Sequence, residues 1–387
     1  MDAELARWLV SPQAEAALAE ASSQPDPGSL AAATALRRHW PPDQAAAVLT
    51  QAVLRRRAVA KFGDRAAGLF LTPDGLEQAT RADVARWRAD RFRAAGARTV
   101  VDLGCGVGAD ALALLDAGLE VVAVEADPAT AVLAQANLGD GATVRCADAV
   151  DVADELLGGG AAVFADPARR TAAGRTWRVA DFSPPWEFVT GLLAGRTGCV
   201  KAAPGLPSGF IPDGVATTWV SHRGDLVEAS LWSGAGEPGG RTAVLLPSGE
   251  QLDAGERRDA AVGPVGRYLH EPDPAVIRAG ALATLAGLLD ARCPQAGIAY
   301  LFSDGAATTP FATTFEVLEE RPFDEADLRR WVREHGIGVL EIKVRGLDVD
   351  PAVLRRRLRP KGRAAATLVL TPTPSGSRAL VVRRLLA

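Results

Sequence analysis

Asp102, Gly104, Gly106 and Gly108 stand close together in VVDLGCGVGAD, residues 100–110. Val100 and Val101 suit a buried strand, and the glycines suit a turn that no side chain crowds. Residues 109–115 read as a helix, so the turn lies at the carboxyl end of a strand, where open α/β sheets bind ligands. A second apolar run, 121–124, ends in Glu125, placed to accept hydrogen bonds from both hydroxyls of a ribose. A third run, 143–146, ends near Asp148, placed to hold an adenine amino group. Gly104, Gly106 and Ala109 also satisfy the G-x-G-x-x-G/A fingerprint of NAD-binding folds. Asp102 argues against that ligand. It would repel a doubly charged pyrophosphate, whereas a methionine ammonium and a sulfonium are cations that it favours.

The pattern resembles class I S-adenosylmethionine-dependent methyltransferases. The resemblance implies a Rossmann-like α/β sheet and S-adenosyl-L-methionine as cofactor. It also gives a role to the fourth strand, 161–165, which ends in Asp166-Pro167-Ala168-Arg169-Arg170. In that fold the carboxyl end of this strand faces the methyl group. Relatives that methylate nucleobase amino groups often have an acid or amide there, then Pro-Pro and an aromatic residue or arginine. An exocyclic amine is a weak nucleophile because its lone pair is delocalised into the ring. A side-chain oxygen of Asp166 and the carbonyl of Pro167 can accept its two N–H bonds. That aims the lone pair at the methyl and stabilises the charge that develops. Ala168 replaces the usual second proline, which loosens the loop. Arg169 and Arg170 either meet a phosphate or a base, or end the strand in salt bridges. Carbon methylation would need a cysteine nucleophile, but Cys199 and Cys105 read as small buried residues.

The elements that must position these groups can be read along the chain. Helices are expected over 2–21, 44–61 and 72–93, separated by Pro/Gly breaks. Thr72 caps the last of these. The polar groups of Glu77, Gln78, Thr80 and Arg81 on the same helix suit either that structural role or a lid over the donor. Strands follow near 98–103, 120–125, 143–147, 161–165 and 197–201, then an antiparallel hairpin at 216–221 and 225–232 and a short strand at 242–246. Beyond residue 262 the reading is a helix at 274–290, strands at 298–302 and 312–318, and a helix at 324–335. A strand at 337–345, a helix at 351–358 and a hairpin at 365–385 complete a small α+β domain. The chain thus divides into a helical part, 1–95, an α/β part, 96–262, and an α+β part, 263–387.

The tail carries most of the positive charge. From Lys343 to the end there are eleven basic residues and two acids, a net of +9, against −4 for the whole chain. Such an excess is an electrostatic footprint for polyanions, or else a solvated basic face. Lys343 and Arg345 alternate with Ile342 and Val344 and so project from one face. Arg355, Arg356 and Arg357 crowd the next helix, and few aromatics interleave them, which suits backbone and shape recognition of structured RNA.

AVAKFG at 58–63, LFLTPDGLEQATR at 69–81 and GVLEIKVRG at 338–346 together resemble a bacterial, chiefly actinobacterial, group of methyltransferases with a THUMP-like carboxyl-terminal domain. That resemblance implies RNA association, because THUMP domains bind RNA. The Asp-Pro-Ala-Arg loop resembles, more loosely, the enzyme that methylates the guanine amino group of RNA caps. Cys105, Cys146, Cys199 and Cys293 are far apart, as are the four histidines, so reduced thiols and no metal site are expected. MDAELARWLV does not read as a signal peptide, and no window approaches a membrane span. The expectation is a cytoplasmic methyltransferase acting on a nucleobase amino nitrogen in structured RNA. The alternatives are a small-molecule or protein amine as acceptor, or a non-catalytic RNA-binding protein that retains the fold.

Overall fold

The structure, a computed structural model, describes residues 1–169, 182–234, 239–256 and 259–385. The chain divides into two compact units, Met1–Ala216 with Ala229–Gly239, and Thr217–Glu228 with Gly240–Ala387. The boundary expected near residue 262 falls inside the second unit, and the first joins the expected helical part to the α/β part only through Ala216 and again over Ala229–Gly239.

The first unit opens with α1 (Ala3–Leu9), α2 (Glu15–Ser23), α3 (Leu30–Leu36) and α4 (Pro42–Phe62). Asp2 caps α1 by accepting from the Leu5 N–H at 2.8 Å. The single helix expected over 2–21 is broken because Pro12 starts a separate turn, Pro12–Ala14. α3 has no counterpart among the expected helices. Ser29 caps it, accepting from the Ala32 N–H at 3.2 Å. These helices share one apolar cluster, in which Ala6, Leu9, Leu36 and Val48 pack with Ala129 and Leu133.

The helix expected over 72–93 is likewise two, α5 (Pro73–Gln78) and α6 (Ala82–Ala94). The Lys61 ammonium donates to the carbonyls of Leu76, Glu77 and Ala79 at 2.7, 2.7 and 2.8 Å, which caps the end of α5.

The strand–helix alternation then runs β1 (Thr99–Leu103), α7 (Ala109–Asp116), β2 (Glu120–Glu125), α8 (Pro128–Leu138), β3 (Ala142–Cys146), α9 (Ala149–Leu157) and β4 (Ala162–Ala165). A two-residue ladder, β5 (Ala168–Arg169) with β6 (Phe182–Ser183), precedes α10 (Trp186–Gly191) and β7 (Gly198–Ala202). Spatially the parallel strands lie in the order β7-β4-β1-β2-β3. Valine and alanine fill them because both faces are covered. Two strands follow, β8 (Ala216–His222) and β9 (Asp225–Ser233), and β9 from Ala229 onward pairs antiparallel with β7. Trp232 of β9 packs with Phe92 and Phe164 in the core of this unit.

In the second unit β8 pairs parallel with β10 (Arg241–Leu246), which pairs antiparallel with β11 (Glu250–Asp253). A second sheet follows from β12 (Tyr268–Pro272), α11 (Pro274–Ala279), α12 (Leu282–Leu288), β13 (Leu301–Ser303), β14 (Ala312–Pro322), α13 (Glu325–Glu334), β15 (Ile337–Val344), α14 (Pro351–Leu358), β16 (Ala364–Thr373) and β17 (Gly376–Arg384). Its order is β13-β12-β14-β17-β16-β15. The helix expected over 274–290 stops at Gly280, whose φ of +76° ends α11. α13 and α14 bury Leu328, Trp331, Leu354 and Leu358 against Leu340, Ile342, Leu368 and Leu370 on one face of the sheet. A second cluster, containing Leu269, Tyr300, Phe302, Phe315 and Val382, lies apart from the first.

Candidate active site

β1 carries Asp102 and Leu103 to the turn. Gly104 leaves the strand at φ +93°, and its N–H and that of Cys105 both donate to the Val124 carbonyl at 2.9 Å. The turn is thereby clamped to the end of β2. The Gly106 N–H donates to Glu125 Oε2 at 3.0 Å and the Asp127 N–H to Oε1 at 2.8 Å. Each of these oxygens keeps a second lone pair, enough to accept one ribose hydroxyl apiece. Replacing Glu125 by alanine is expected to weaken donor binding by about 1–3 kcal/mol, the scale for unpairing a charged hydrogen bond. Calorimetry with S-adenosyl-L-methionine checks it, and unchanged affinity would refute the placement.

A cavity of about 500 Å³ lies against this turn. It brings together Thr72, Asp102, Gly104, Gly106, Glu125, Asp148 and Asp166, all expected from the sequence. Among the described residues its lining holds seven carboxylates and no lysine or arginine, a field that suits a cation and repels pyrophosphate. Asp102 is only 1% exposed, and neither carboxylate oxygen has a hydrogen-bond partner. Burial, reinforced by the charges of Asp110 and Asp166, pushes its pKa well above the ordinary carboxylate value. An orphaned buried carboxylate beside a cavity is what the ammonium of a bound amino acid moiety would complete, so the residues fit the donor.

That shift has a measurable consequence. Asp102 binds its proton more tightly folded than unfolded, so its contribution to stability is full at low pH. It is lost as pH rises through the elevated folded pKa. A bound cation offsets that loss. The rise in Tm caused by the donor should therefore be larger at pH 7 than at pH 5. Asp102→Asn should raise the Tm of the ligand-free protein at pH 7 and flatten the donor effect. Differential scanning calorimetry checks both, and an equal donor effect at the two pH values would contradict the assignment.

Thr72 does cap α5, accepting from the Gly75 N–H at 2.9 Å, and it lines the cavity as well. A Cβ on Gly75 would come within 2.7 Å of Thr72 Oγ1 and of Val107, so glycine lets α5 lie against the turn. Asp74, Gln78 and Thr80 of this segment line the cavity, whereas Glu77 and Arg81 are not among its lining residues. Asp148 caps α9 through the Val150 N–H at 2.9 Å.

Asp166 follows β4 with its side chain 34% exposed, and Pro167 beside it is buried. Lys201 from β7 pairs with Asp166 Oδ2. This lysine, at the end of a strand, is the cation that holds the expected catalytic carboxylate. The side chain of Arg169, and Arg170, lie outside the described residues. Cys199 is fully buried. Burial and the charges of Asp102 and Glu125 push the Cys105 thiol pKa well up, which disfavours a thiolate nucleophile.

One network behind the turn escaped the sequence reading. Arg88 is 1% exposed, pairs with Asp110 in the first turn of α7, and lies 4.8 Å over the Phe164 ring. Thr80 Oγ1 donates to the other Asp110 oxygen at 2.7 Å. Arg88 sits at helical spacing from buried Val84 and Phe92, so an arginine on the buried face of α6 was the available signal.

The tail cations need correction. Lys343 and Arg345 were expected to face solvent. Instead Lys343 pairs with Glu271 at 2.7 Å and approaches the Phe315 ring. Arg345 donates to the Ala299 carbonyl at 2.7 Å and lies over Tyr300. They lie among the side chains of the second cluster, where Phe315 and Tyr300 are core residues. Arg355 is exposed, but its Nε donates to the Leu340 carbonyl at 2.7 Å. Arg357 pairs loosely with Glu325 at 3.4 Å, and Arg356 stays exposed. Among the described residues no group of three or more His, Cys, Asp or Glu could hold a metal ion, and no helix is long and apolar enough to cross a membrane.

Known proteins resemble this chain in sequence and in fold. Residues 312–384 match the family described as THUMP domain-like, and residues 2–58 match a domain of unknown function. An uncharacterized S-adenosylmethionine-dependent methyltransferase of Mycobacterium tuberculosis, in strains CDC 1551 and H37Rv, is 35% identical over 348 residues. The match covers 87% of this chain and 95% of that protein. The crystal structure of a protein assigned as a methyltransferase from Porphyromonas gingivalis W83 superposes with a TM-score of 0.76 at 23% identity. It covers 96% of this chain and 99% of that one, and shows a common fold.

Proposed function

The chain belongs to the S-adenosylmethionine-dependent methyltransferases, and we propose that it methylates an exocyclic amino nitrogen of a nucleobase in structured RNA. The observation that carries the acceptor chemistry is Asp166. It stands at the end of β4, lines the donor cavity, and is partly open to solvent. S-adenosyl-L-methionine supplies an electrophilic methyl group. Asp102 holds its ammonium, Glu125 its ribose and Asp148 its adenine. Asp166 and the Pro167 carbonyl accept the two N–H bonds of the incoming amine and orient its lone pair. Lys201 keeps the Asp166 carboxylate in place. Arg169 is the residue we assign to the acceptor's phosphate or base.

Support for RNA comes from the THUMP domain-like match within 263–387 and from exposed cations around α14. Arg356, Arg359, Lys361 and Arg363 are exposed and their side chains take part in no hydrogen bond or ion pair among the described residues, and Arg357 pairs only weakly beside them. The RNA surface thus moves from Lys343, Arg345 and Arg355 towards these five. Changing Arg356, Lys361 and Arg363 together to alanine should weaken binding of a folded RNA by the full-length protein. The slope of log K against log salt should flatten by about one for each phosphate that is no longer neutralised. Fluorescence anisotropy at several salt concentrations measures it, and an unchanged slope would remove this surface from the reading. The acceptor itself is tested by mass spectrometry of nucleosides from cells with and without the gene. Loss of one N-methylated nucleoside supports the proposal. An unchanged nucleoside profile favours a small-molecule or protein amine instead.

A further inference from the structure

The second unit holds a cavity of its own, about 660 Å³, that the methyl-transfer reading does not use. Arg223, Arg345 and Arg384 line it, together with the hydroxyls of Ser221, Ser248, Thr308, Thr309, Thr313 and Thr314. Two carboxylates, Glu271 and Asp273, also line it, and both are engaged. Glu271 pairs with Lys343 at 2.7 Å. Asp273 accepts from the Ala275 N–H at 2.8 Å and the Ser221 hydroxyl at 2.9 Å. The arginines are in a different state. Arg345 spends one nitrogen on the Ala299 carbonyl. The guanidinium groups of Arg223 and Arg384 are exposed, and no described residue accepts from either.

The backbone at Arg223 adds a second observation. Arg223 has φ +55° and Gly224 has φ +85°, a two-residue turn between β8 and β9 with both centres in the left-handed region. Asparagine, aspartate or glycine suits the first position of such a turn, and an arginine there is strained. Its N–H donates to the Leu246 carbonyl at 2.9 Å, which fixes the turn beside Leu245 and Leu246 of the cavity wall. A residue held where its type is disfavoured, with its charge unmatched, at the rim of a hydroxyl-lined cavity calls for an anionic ligand.

We propose that this cavity binds the phosphate of a ribonucleotide, whether free or as a unit of an RNA chain. Guanidinium groups supply paired donors to phosphate oxygens, and the hydroxyls supply further donors to the remaining ones. The carboxylates of Asp273 and Glu271 retain lone pairs for sugar hydroxyls. The inference does not depend on which group the enzyme methylates.

Arg223→Gly with Arg384→Ala tests it. Glycine relieves the strained turn, so the double variant should fold with a Tm equal to or above the wild type, and the Tm is measured first. Calorimetry then uses the full-length protein with the donor site filled by S-adenosylhomocysteine, and uridine 5′-monophosphate or a folded RNA as the probe. Saturable binding of uridine monophosphate that weakens at least tenfold in the variant supports a free nucleotide. Affinity for RNA that falls at least tenfold, with no binding of the mononucleotide to either protein, supports a nucleotide read within a chain. If neither probe distinguishes the variant from the wild type, the cavity is not a phosphate site. In that case RNA binding that persists in both proteins leaves the RNA reading of the α14 surface standing.

Discussion

Asp166→Ala is expected to lower kcat/KM by about 100-fold or more while leaving donor affinity close to that of the wild type. The separation follows from where the residue stands. Asp166 adjoins the donor cavity but lies at the end of β4, beside Pro167 and the β5–β6 ladder, rather than on the glycine turn. Removing its oxygen leaves one N–H of the amine unpaired and the lone pair free to rotate away from the methyl. Asp166→Asn keeps an acceptor and should retain more activity than alanine. Lys201→Ala should lie between them, since it frees the carboxylate without deleting it. Steady-state rates with the acceptor identified from the nucleoside comparison, alongside donor calorimetry, decide the matter. Wild-type turnover in Asp166→Ala would remove this residue from the chemistry, and a parallel loss of donor affinity would make it a donor ligand.

Gly104→Val should reduce donor affinity by at least about 100-fold, corresponding to a loss of about 2.7 kcal/mol or more. A Cβ at this position meets no protein atom within 4 Å, so the side chain would enter the cavity that Gly104 lines. The backbone opposes it as well, because φ +93° is a conformation that a β-branched residue adopts only at high cost. Gly104→Ala separates the two effects, having the same backbone conflict with less volume in the cavity. Titration of both variants with the donor, and with NAD as a control that should not bind saturably, is the measurement. Undiminished affinity in Gly104→Val would overturn the placement of the donor at this turn.

Local chemistry made part of this molecule readable. Strands β1, β2 and β4 fall within a residue of expectation because each is built on a short apolar run bounded by an acid. α14 coincides with the expected 351–358, since Asp350 caps it through the Ala352 and Val353 N–H groups. Failures came where distant residues decide. Nothing near Gln78 signals that Lys61 will cap α5 from another helix, and β12 lies in a stretch whose strand character depends on β13 and β14. Lys343 and Arg345 do alternate with apolar neighbours, as expected. Alternation does not reveal that residues near Tyr300 and Phe315 will occupy the other side. The place of Asp102 before the glycines was legible, and the structure puts it in the lining of the cavity at the turn. Its isolation and the Arg88–Asp110 pair behind it needed the packing of α6 against α7.

The shared cluster of α1 to α4 with α8 sets the order in which this chain can become stable during synthesis. Ala6, Leu9 and Leu36 leave the ribosome first, and the residues that complete their cluster, Ala129 and Leu133, follow only after the whole of β1 and β2. At about 5–20 residues per second that interval is about 5 to 20 s. Throughout it α1 to α4 can bury their apolar residues only against one another, and the side of the cluster that α8 covers stays open. A protein released before α8 would therefore lack Ala129 and Leu133, the α8 part of this cluster.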